Sequence, residues 1–229
     1  MRIAAISDQH GFLPDIPQCD LLIIAGDVCP DGFGRQVAAE TPKLQQDWFD
    51  REVRPWLAQS PATHKVLTWG NHDWCGEACD FSADEPPNGR TTALQIVIDQ
   101  TTDVSVGDRQ ITLWASPWSN QFGYWAFMRR PEALAEVYRA IPEGIDILVS
   151  HQPAFGYGDE VPDFETGQAS HQGSRELLAA IDRVKPRVLI CGHIHEGHGQ
   201  FVHNGTRIFN VSVVDEHYQL VHAATIVDV

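Results

Sequence analysis

Nine polar residues in this 229-residue chain stand where chemistry could be done: Asp8 and His10, Asp27, Asn71, His72 and Asp73, His151, and His193 and His195. Each group comes directly after a short apolar run. Taken singly, any of them is as easily a hydrogen-bonded strand end as a ligand. Repeated five times in order, they read as one constellation. Carboxylate oxygens and imidazole nitrogens suit divalent first-row metals, and no thiolate is required. Two carboxylates, an amide and at least four imidazoles exceed one coordination shell with room left for substrate. They suit two ions roughly 3.5–4 Å apart that share a carboxylate. Such a centre would be a strongly cationic spot in an acidic chain, and its natural counterpart is an anionic phosphate ester.

The elements that position these residues follow from the runs. RIAAI (2–6), LLIIA (21–25), KVLT (65–68), DILVS (146–150) and VLIC (188–191) are short, apolar and rich in β-branched residues, as buried strands are. In open α/β sheets, side chains just past the carboxyl ends of the strands converge on one crevice. Between the second and third runs, residues 33–58 carry Val37, Leu44, Trp48, Phe49, Val53, Trp56 and Leu57 at three- and four-residue spacing. That spacing predicts a helical crossover, divided or bent at Pro42 and Pro55, and hence a sheet that is at least partly parallel. Residues 75–90 read as loop with one helical turn. Residues 94–98, 104–106 and 111–115 alternate with polar residues and turn signals, a pattern that suits antiparallel strands. Pro131 opens a short helix to Ala140. Ser174 caps another that reaches Val184, and Asn204-Gly205 turns a hairpin between residues 201–203 and 207–211.

Residues 116–130 (SPWSNQFGYWAFMRR) are dense in aromatics without helical or strand period. The stretch reads either as a packed surface loop or as an aromatic wall for a ligand, with Trp118, Phe122, Tyr124 and Trp125 able to stack on a base. His198, three residues beyond His195, is a further substrate-lining candidate. His171, His203, His217 and His222 read as ordinary surface imidazoles.

Composition narrows the function classes. A net charge of −15 argues against a polymer nucleic acid or an anionic membrane as partner. Five cysteines form no even framework and fit a reduced, cytoplasmic protein, with Cys75 and Cys79 as ordinary thiols. The segment MRIAAISDQH turns acidic within eight positions, unlike a signal peptide. With 43% apolar and 21% charged residues and no linker composition, a single domain over 1–229 is expected, and a homo-oligomer is compatible with all of this.

The series SDQHG, AGD, GNHD, the lone His151 and GHIH resembles the calcineurin-like metallophosphoesterase superfamily, whose pattern is DxH, GD, GNH(D/E), H, GHxH. No motif is missing between Asp8 and His195. SPWSNQF, IPEGIDILVSHQP and IHEGHG are further similar to segments of the vertebrate brain metallophosphoesterase-domain proteins and their bacterial class III phosphodiesterase relatives. The resemblance implies an α/β fold of mixed sheets packed as a sandwich flanked by helices, with a dinuclear site of Mn, Fe, Zn or similar ions. It implies that Asp8, His10, Asp27 and His195 hold the first ion, that Asp27 bridges, and that Asn71, His151 and His193 complete the second. Some of the vertebrate proteins have Gly at the place of His193, whereas this chain keeps the ligand. On the same grounds His72 is no ligand and faces the substrate as acid or charge stabiliser, while Asp73 either orients His72 or caps the following turn. Alternate residues of an extended chain point the same way, which accounts for the spacing of His193 and His195. The activity expected is metal-dependent phosphoester hydrolysis, most naturally of small or cyclic nucleotide-type diesters. A phosphomonoesterase on a small metabolite is the nearest alternative, and a non-catalytic metal-binding regulator is the alternative from another class.

Overall fold

The computed structural model describes residues 1–31, 39–79, 81, 94–162, 166 and 168–229. In chain order the first half contains β1 (Arg2–Ile6), β2 (Leu21–Ala25), α1 (Thr41–Trp48), α2 (Arg54–Gln59), β3 (His64–Thr68), α3 (Trp74–Ala78), β4 (Leu94–Ile96), β5 (Gln100–Val106) and β6 (Arg109–Ser116). There follow β7 (Ser119–Asn120), β8 (Met128–Arg129), α4 (Pro131–Arg139), β9 (Ile147–Ser150), β10 (Glu160–Pro162), β11 (Ala169–His171), α5 (Arg175–Val184), β12 (Val188–Cys191), β13 (Gly199–His203), β14 (Thr206–Asn210) and β15 (Thr225–Asp228). One sheet has the order β15-β1-β2-β3-β4 and the other β13-β14-β12-β9-β6-β5.

Period-two alternation distributes each strand between two cores. Ile3, Ala5, Leu21, Ile23 and Val66 of the first sheet pack with Leu113, Ile147, Val149, Val188 and Ile190 of the second, forming the interior between the sheets. The alternate residues Ala4, Ile6, Leu22, Ile24 and Leu67 pack outward on Phe49, Val53 and Leu57 of the helical crossover. On the far side, Leu148 and Leu189 pack on Leu134 and Tyr138 of α4 and on Leu177 and Ile181 of α5. Both faces of both sheets are therefore covered, which is why β1, β2, β9 and β12 are uninterrupted apolar runs rather than alternating ones. Each fully buried Leu, Ile or Val contributes roughly 1.5–3 kcal/mol, so register errors are costly.

β1, β2 and β3 run parallel, as do β6, β9, β12 and β14. Their carboxyl ends open at one edge of the sandwich. There Ser7 stitches the sheets together: its N–H donates to the Val211 carbonyl at 3.0 Å, and its carbonyl accepts from Val213 N–H at 3.0 Å.

Several expectations change in detail. The crossover is helical over 41–59, with Pro42 in the first turn of α1 and Pro55 in the first turn of α2. A π-helical turn over Phe49–Val53 joins them, because Pro55 has no N–H to keep the α-ladder regular. The part of the expected helix at 33–38, with Val37, lies outside the described residues. Of the three strands expected to be antiparallel, only β5 and β6 pair so; β4 lies parallel beside β3 in the other sheet. β15, antiparallel to β1, and the β10–β11 pair give no distinct pattern in the sequence. The aromatic stretch contains the two-residue strands β7 and β8, paired parallel. The hairpin turn is as expected, with Asn204 and Gly205 both at positive φ. No helix among the described residues is long and apolar enough to cross a membrane.

Candidate metal centre

The five polar strand ends meet. Asp8, His10 and His195 bring one donor atom each to within 4.8 Å of one another, and Asp27, His151 and His193 form a second such group. In the first, His10 Nε2 lies 3.3 Å from His195 Nε2 and 4.0 Å from Asp27 Oδ2, while His195 Nε2 lies 3.6 Å from Asp8 Oδ1. In the second, His151 Nε2 lies 2.9 Å from Asn71 Oδ1 and 3.2 Å from Asp27 Oδ2. Asp27, of the second group, thus also lies beside His10 of the first.

Close approach at these strand ends is made possible by the glycines that precede or flank the donors. A β-carbon on Gly70 would collide with Asp27 Oδ1, and one on Gly192 would collide with Asp8 Oδ2. The carboxylates occupy the space those side chains would need. Each carboxylate is also anchored by a backbone N–H from another strand end: both oxygens of Asp8 accept from His193 at 3.0 Å, and Asp27 Oδ1 accepts from His72 at 2.7 Å. Asp8, His10, Asp27 and His193 all have left-handed backbone, at φ between 42° and 71°.

Whether metal ions fit is decided by the imidazole tautomers. His151 Nδ1 faces the Ala25 carbonyl at 2.9 Å and His195 Nδ1 faces the Asp215 carbonyl at 3.1 Å. His10 Nδ1 lies 3.2 Å from Asp31 Oδ2. With the proton of His151 and of His195 held at Nδ1 by a carbonyl oxygen, the Nε2 lone pairs of these two rings point at carboxylate oxygens, an amide oxygen and His10 Nε2. Acceptors outnumber donors here, the N–H groups of His193 and His72 being the donors to Asp8 and Asp27, and added positive charge, as protons or as metal ions, stabilises such a cluster. His151 expresses the demand: burial works against its protonation, yet the charge and hydrogen bond of Asp27 carry its pKa up to about 9. Asp27 is held well below the usual carboxylate range, because the histidines around it outweigh the cost of its complete burial. His193 goes the other way, down to about 3, through burial and the proximity of His151, which keeps it a neutral lone-pair donor. The donor set fits a metal centre.

The site residues beyond the donors sort less simply. His72 is 8% exposed, and its ring stacks on Trp125 at 4.2 Å between centroids. Its Nδ1 is 2.5 Å from Asp31 Oδ1, so the carboxylate that orients His72 is Asp31 and not Asp73. Asp73, fully buried, accepts from Val28, Cys29 and Gly70 N–H at 2.8–3.3 Å and ties the loops after β2 and β3 together. Burial and neighbouring Asp27 raise its pKa to about 6. The structure therefore gives Asp73 a framework role in place of a catalytic one. Asp31 gives little signal in the sequence, since it stands in a Pro- and Gly-containing loop four residues past Asp27 with no strand before it.

Phe122 and Trp125 line the cleft over the donors, with Tyr218, which the sequence does not single out. Trp118 does not line it: its indole N–H donates to Asp99 Oδ2 at 2.6 Å, and its ring packs on Phe127 under the Arg129 guanidinium. His198 does not line it either. Its Nδ1 is held 2.8 Å from the Ser212 carbonyl and its ring stacks on His222. Tyr124 is 80% exposed and rests on Trp74 outside the cleft lining. The pair His193 and His195 is not spaced by extended backbone: His193 is left-handed at φ 71°, Ile194 is extended, and His195 begins a 3-10 turn. This reversal sends the two rings to different donor groups.

A family model for calcineurin-like phosphoesterases matches residues 1–197. The chain belongs to the calcineurin-like phosphoesterase family. As a family member it is a metal-dependent phosphoester hydrolase by class, with an α/β sandwich of the family kind. It is 30% identical over 249 residues to the Homo sapiens metallophosphoesterase domain-containing protein 1, covering 99% of this chain and 70% of that one. Its fold is similar to that of a phosphopantetheinyl hydrolase from Mycobacterium tuberculosis, with a TM-score of 0.51 at 14% identity over 94% of this chain and 90% of the other. An anchor protein of the Plasmodium inner membrane complex is similar in fold at a TM-score of 0.52 and 13% identity, over 93% of this chain and 71% of that one.

Proposed function

We propose that this chain is a two-metal phosphodiesterase acting on small nucleotide-type diesters, cyclic or linear. The observation that carries the reading is the cleft above the shared carboxylate Asp27. It has a volume of about 520 Å³, within the range of small-molecule sites. Phe122, Trp125 and Tyr218 offer aromatic faces, and Asn120, Gln121 and Gln172 offer amides. No Lys or Arg lines it among the described residues, while Glu196 and Glu216 do. Such a lining favours a ligand with a single negative charge and a planar, hydrogen-bonding arm, as a nucleoside diester has. It disfavours a dianionic monoester or a polyphosphate, whose extra charge would face the two glutamates.

In this reading Asp8, His10, Asp27 and His195 hold one ion and Asp27, Asn71, His151 and His193 the other. When bound, a pair of divalent ions acidifies water and neutralises charge on phosphoryl oxygens. The remaining work falls to side chains of the chain itself. Trp125 and Asp31 fix the His72 ring at the edge of the cleft, where its protonated form stabilises charge on phosphorus oxygens or passes a proton to the leaving oxygen. Burial opposes protonation of His72, and the charges of Asp27 and Asp31 outweigh it, so its pKa is raised. Asp8 and Asp27 stay ionised at neutral pH.

The test is a panel of bis-p-nitrophenyl phosphate, p-nitrophenyl phosphate, and 2′,3′- and 3′,5′-cyclic nucleotides with manganese-loaded protein. The diesters are expected to exceed the monoester in kcat/KM. A monoester preference of tenfold or more would overturn the diester reading, and hydrolysis of none of them would favour a non-catalytic metal-binding role.

A further inference from the structure

Tyr218 stands on the turn between β14 and β15, and Asp215 builds that turn. Asp215 Oδ1 accepts from His217 N–H at 3.0 Å and from Gln219 N–H at 2.8 Å. The Asp215 carbonyl accepts from Tyr218 N–H at 2.9 Å, and the same carbonyl holds Nδ1 of His195 at 3.1 Å. One residue thus fixes a metal-donor imidazole and the backbone of Tyr218 together.

That backbone is left-handed, at φ 58°. The conformation is uncommon for any residue with a β-carbon and is least tolerated by bulky ones. Nine non-glycine residues adopt positive φ among the described residues. Lys185 ends α5, Asn204 turns the hairpin, and Asp99 and Phe127 do not line the cleft. The other five are the donors Asp8, His10, Asp27 and His193, and Tyr218. Strained backbone in this molecule therefore concentrates at the centre, and Tyr218 is the aromatic member of that set.

The ring gains little packing from its position. It is 42% exposed and meets imidazole rings in T-shaped geometry: His10 at 4.6 Å, His195 at 5.0 Å and His72 at 6.4 Å between centroids. No hydrogen bond to its hydroxyl is found among the described residues, which leaves the O–H free to donate to a ligand. Its position lines the cleft whose walls carry no Lys or Arg among the described residues.

We propose that Tyr218 is a substrate-contacting residue whose phenol O–H donates a hydrogen bond to a phosphoryl oxygen of the ester held at the centre. The inference rests on the phosphoester reading above. It assigns to a neutral donor the task that an arginine performs in sites for more highly charged phosphates, in keeping with a singly charged diester.

The test compares wild type with Tyr218→Phe, which keeps the ring and removes only the O–H, and with Tyr218→Gly, which relaxes the backbone. Three quantities are read: bound manganese by elemental analysis, the Kd of inorganic phosphate by calorimetry on the manganese-loaded chain, and kcat/KM on bis-p-nitrophenyl phosphate. Tyr218→Phe is expected to keep wild-type manganese while binding phosphate about tenfold more weakly or worse, the loss of one hydrogen bond to a charged group. Its kcat/KM should fall alongside. Tyr218→Gly should melt no lower than wild type. Phosphate affinity within twofold of wild type in Tyr218→Phe overturns the proposal, as does a Tyr218→Gly variant that melts well below wild type while Tyr218→Phe binds normally, since the tyrosine would then serve packing. A wild-type chain that binds manganese and phosphate yet hydrolyses no diester sinks the hydrolase reading, while the ratio of Kd values still decides Tyr218. Absence of both phosphate binding and diester hydrolysis in the metal-loaded wild type overturns both.

Discussion

Replacing Asp31 by Asn isolates a carboxylate that reaches both His10, of the candidate donor set, and the ring of His72. Asp31 meets His10 Nδ1 at 3.2 Å and His72 Nδ1 at 2.5 Å, and those rings hold its own pKa far below the ordinary range against the cost of burial. Its contact with His72 Nδ1 favours the protonated ring. A hydrogen bond to a charged group contributes roughly 1.5–3 kcal/mol when well shielded. The Asp31 side chain is 43% exposed, so solvent screening reduces this to about 1 kcal/mol. That corresponds to about 0.7 pH unit. The sign follows from the active form: His72 acts when protonated, the Asp31 carboxylate against its Nδ1 favours that form, and Asp31→Asn lowers its pKa. The alkaline limb of the kcat profile should therefore move about 0.7 unit toward acid, with a loss of roughly fivefold above it and little change below. Metal affinity should fall as well, on the order of 10–100-fold, because His10 loses the carboxylate charge beside its Nδ1. The assay is kcat against pH at saturating manganese. A profile for Asp31→Asn that superimposes on wild type would refute the orientation of His72 by Asp31.

Three more outcomes follow from the same geometry. His72→Ala should cut turnover while leaving bound metal nearly intact, whereas Asp27→Ala should empty both donor groups; equal metal loss by elemental analysis would contradict this division of roles. Gly192→Ala would drive a methyl into Asp8 Oδ2 and Ser7 Oγ, overpacking the strand end at a cost of about 1–3 kcal/mol. Calorimetry should show a Tm lowered by roughly 2–4 °C per kcal/mol, together with weakened metal binding. In the metal-free chain, His151 is raised to about 9 from 6.5, so its contribution is fully present below pH 6.5 and is lost as pH rises through 9. His72 and His195, also raised, act in the same direction. Tm of the stripped protein should fall between pH 6.5 and 9 and hold steady when manganese takes the place of the protons; equal slopes would contradict the acceptor cluster.

The meeting of these residues was legible because each group follows a short apolar run that is buried on both faces, and parallel strands place such ends on one edge; singly, Asp8, Asp27 or His151 read equally as a hydrogen-bonded strand end. Asp31 and Tyr218 were not legible for the converse reason. They stand on loops without an apolar run directly before them: Asp31 meets His72, 41 positions away, and Tyr218 sits on a turn that Asp215 bonds to the ring of His195, 20 positions before it. Asp73 misled because adjacency in sequence suggests a partnership with His72, while the turn after β3 sends its carboxylate backward to three backbone amides. Trp118 misled because an indole N–H can be satisfied by an aspartate behind the loop as readily as by a ligand before it. The parallel pairing of β4 is likewise a tertiary choice, since a three-residue strand carries too little pattern to fix its direction.

The central claim is that the converging acceptors around Asp27 hold two metal ions on which hydrolysis depends. Its most direct measurement is a titration of chelator-stripped protein with manganese, following bound metal by elemental analysis and bis-p-nitrophenyl phosphate hydrolysis in the same samples. Two equivalents should bind per chain, with activity absent before the titration and complete at its end. Undiminished hydrolysis by protein shown to be free of metal would contradict the account.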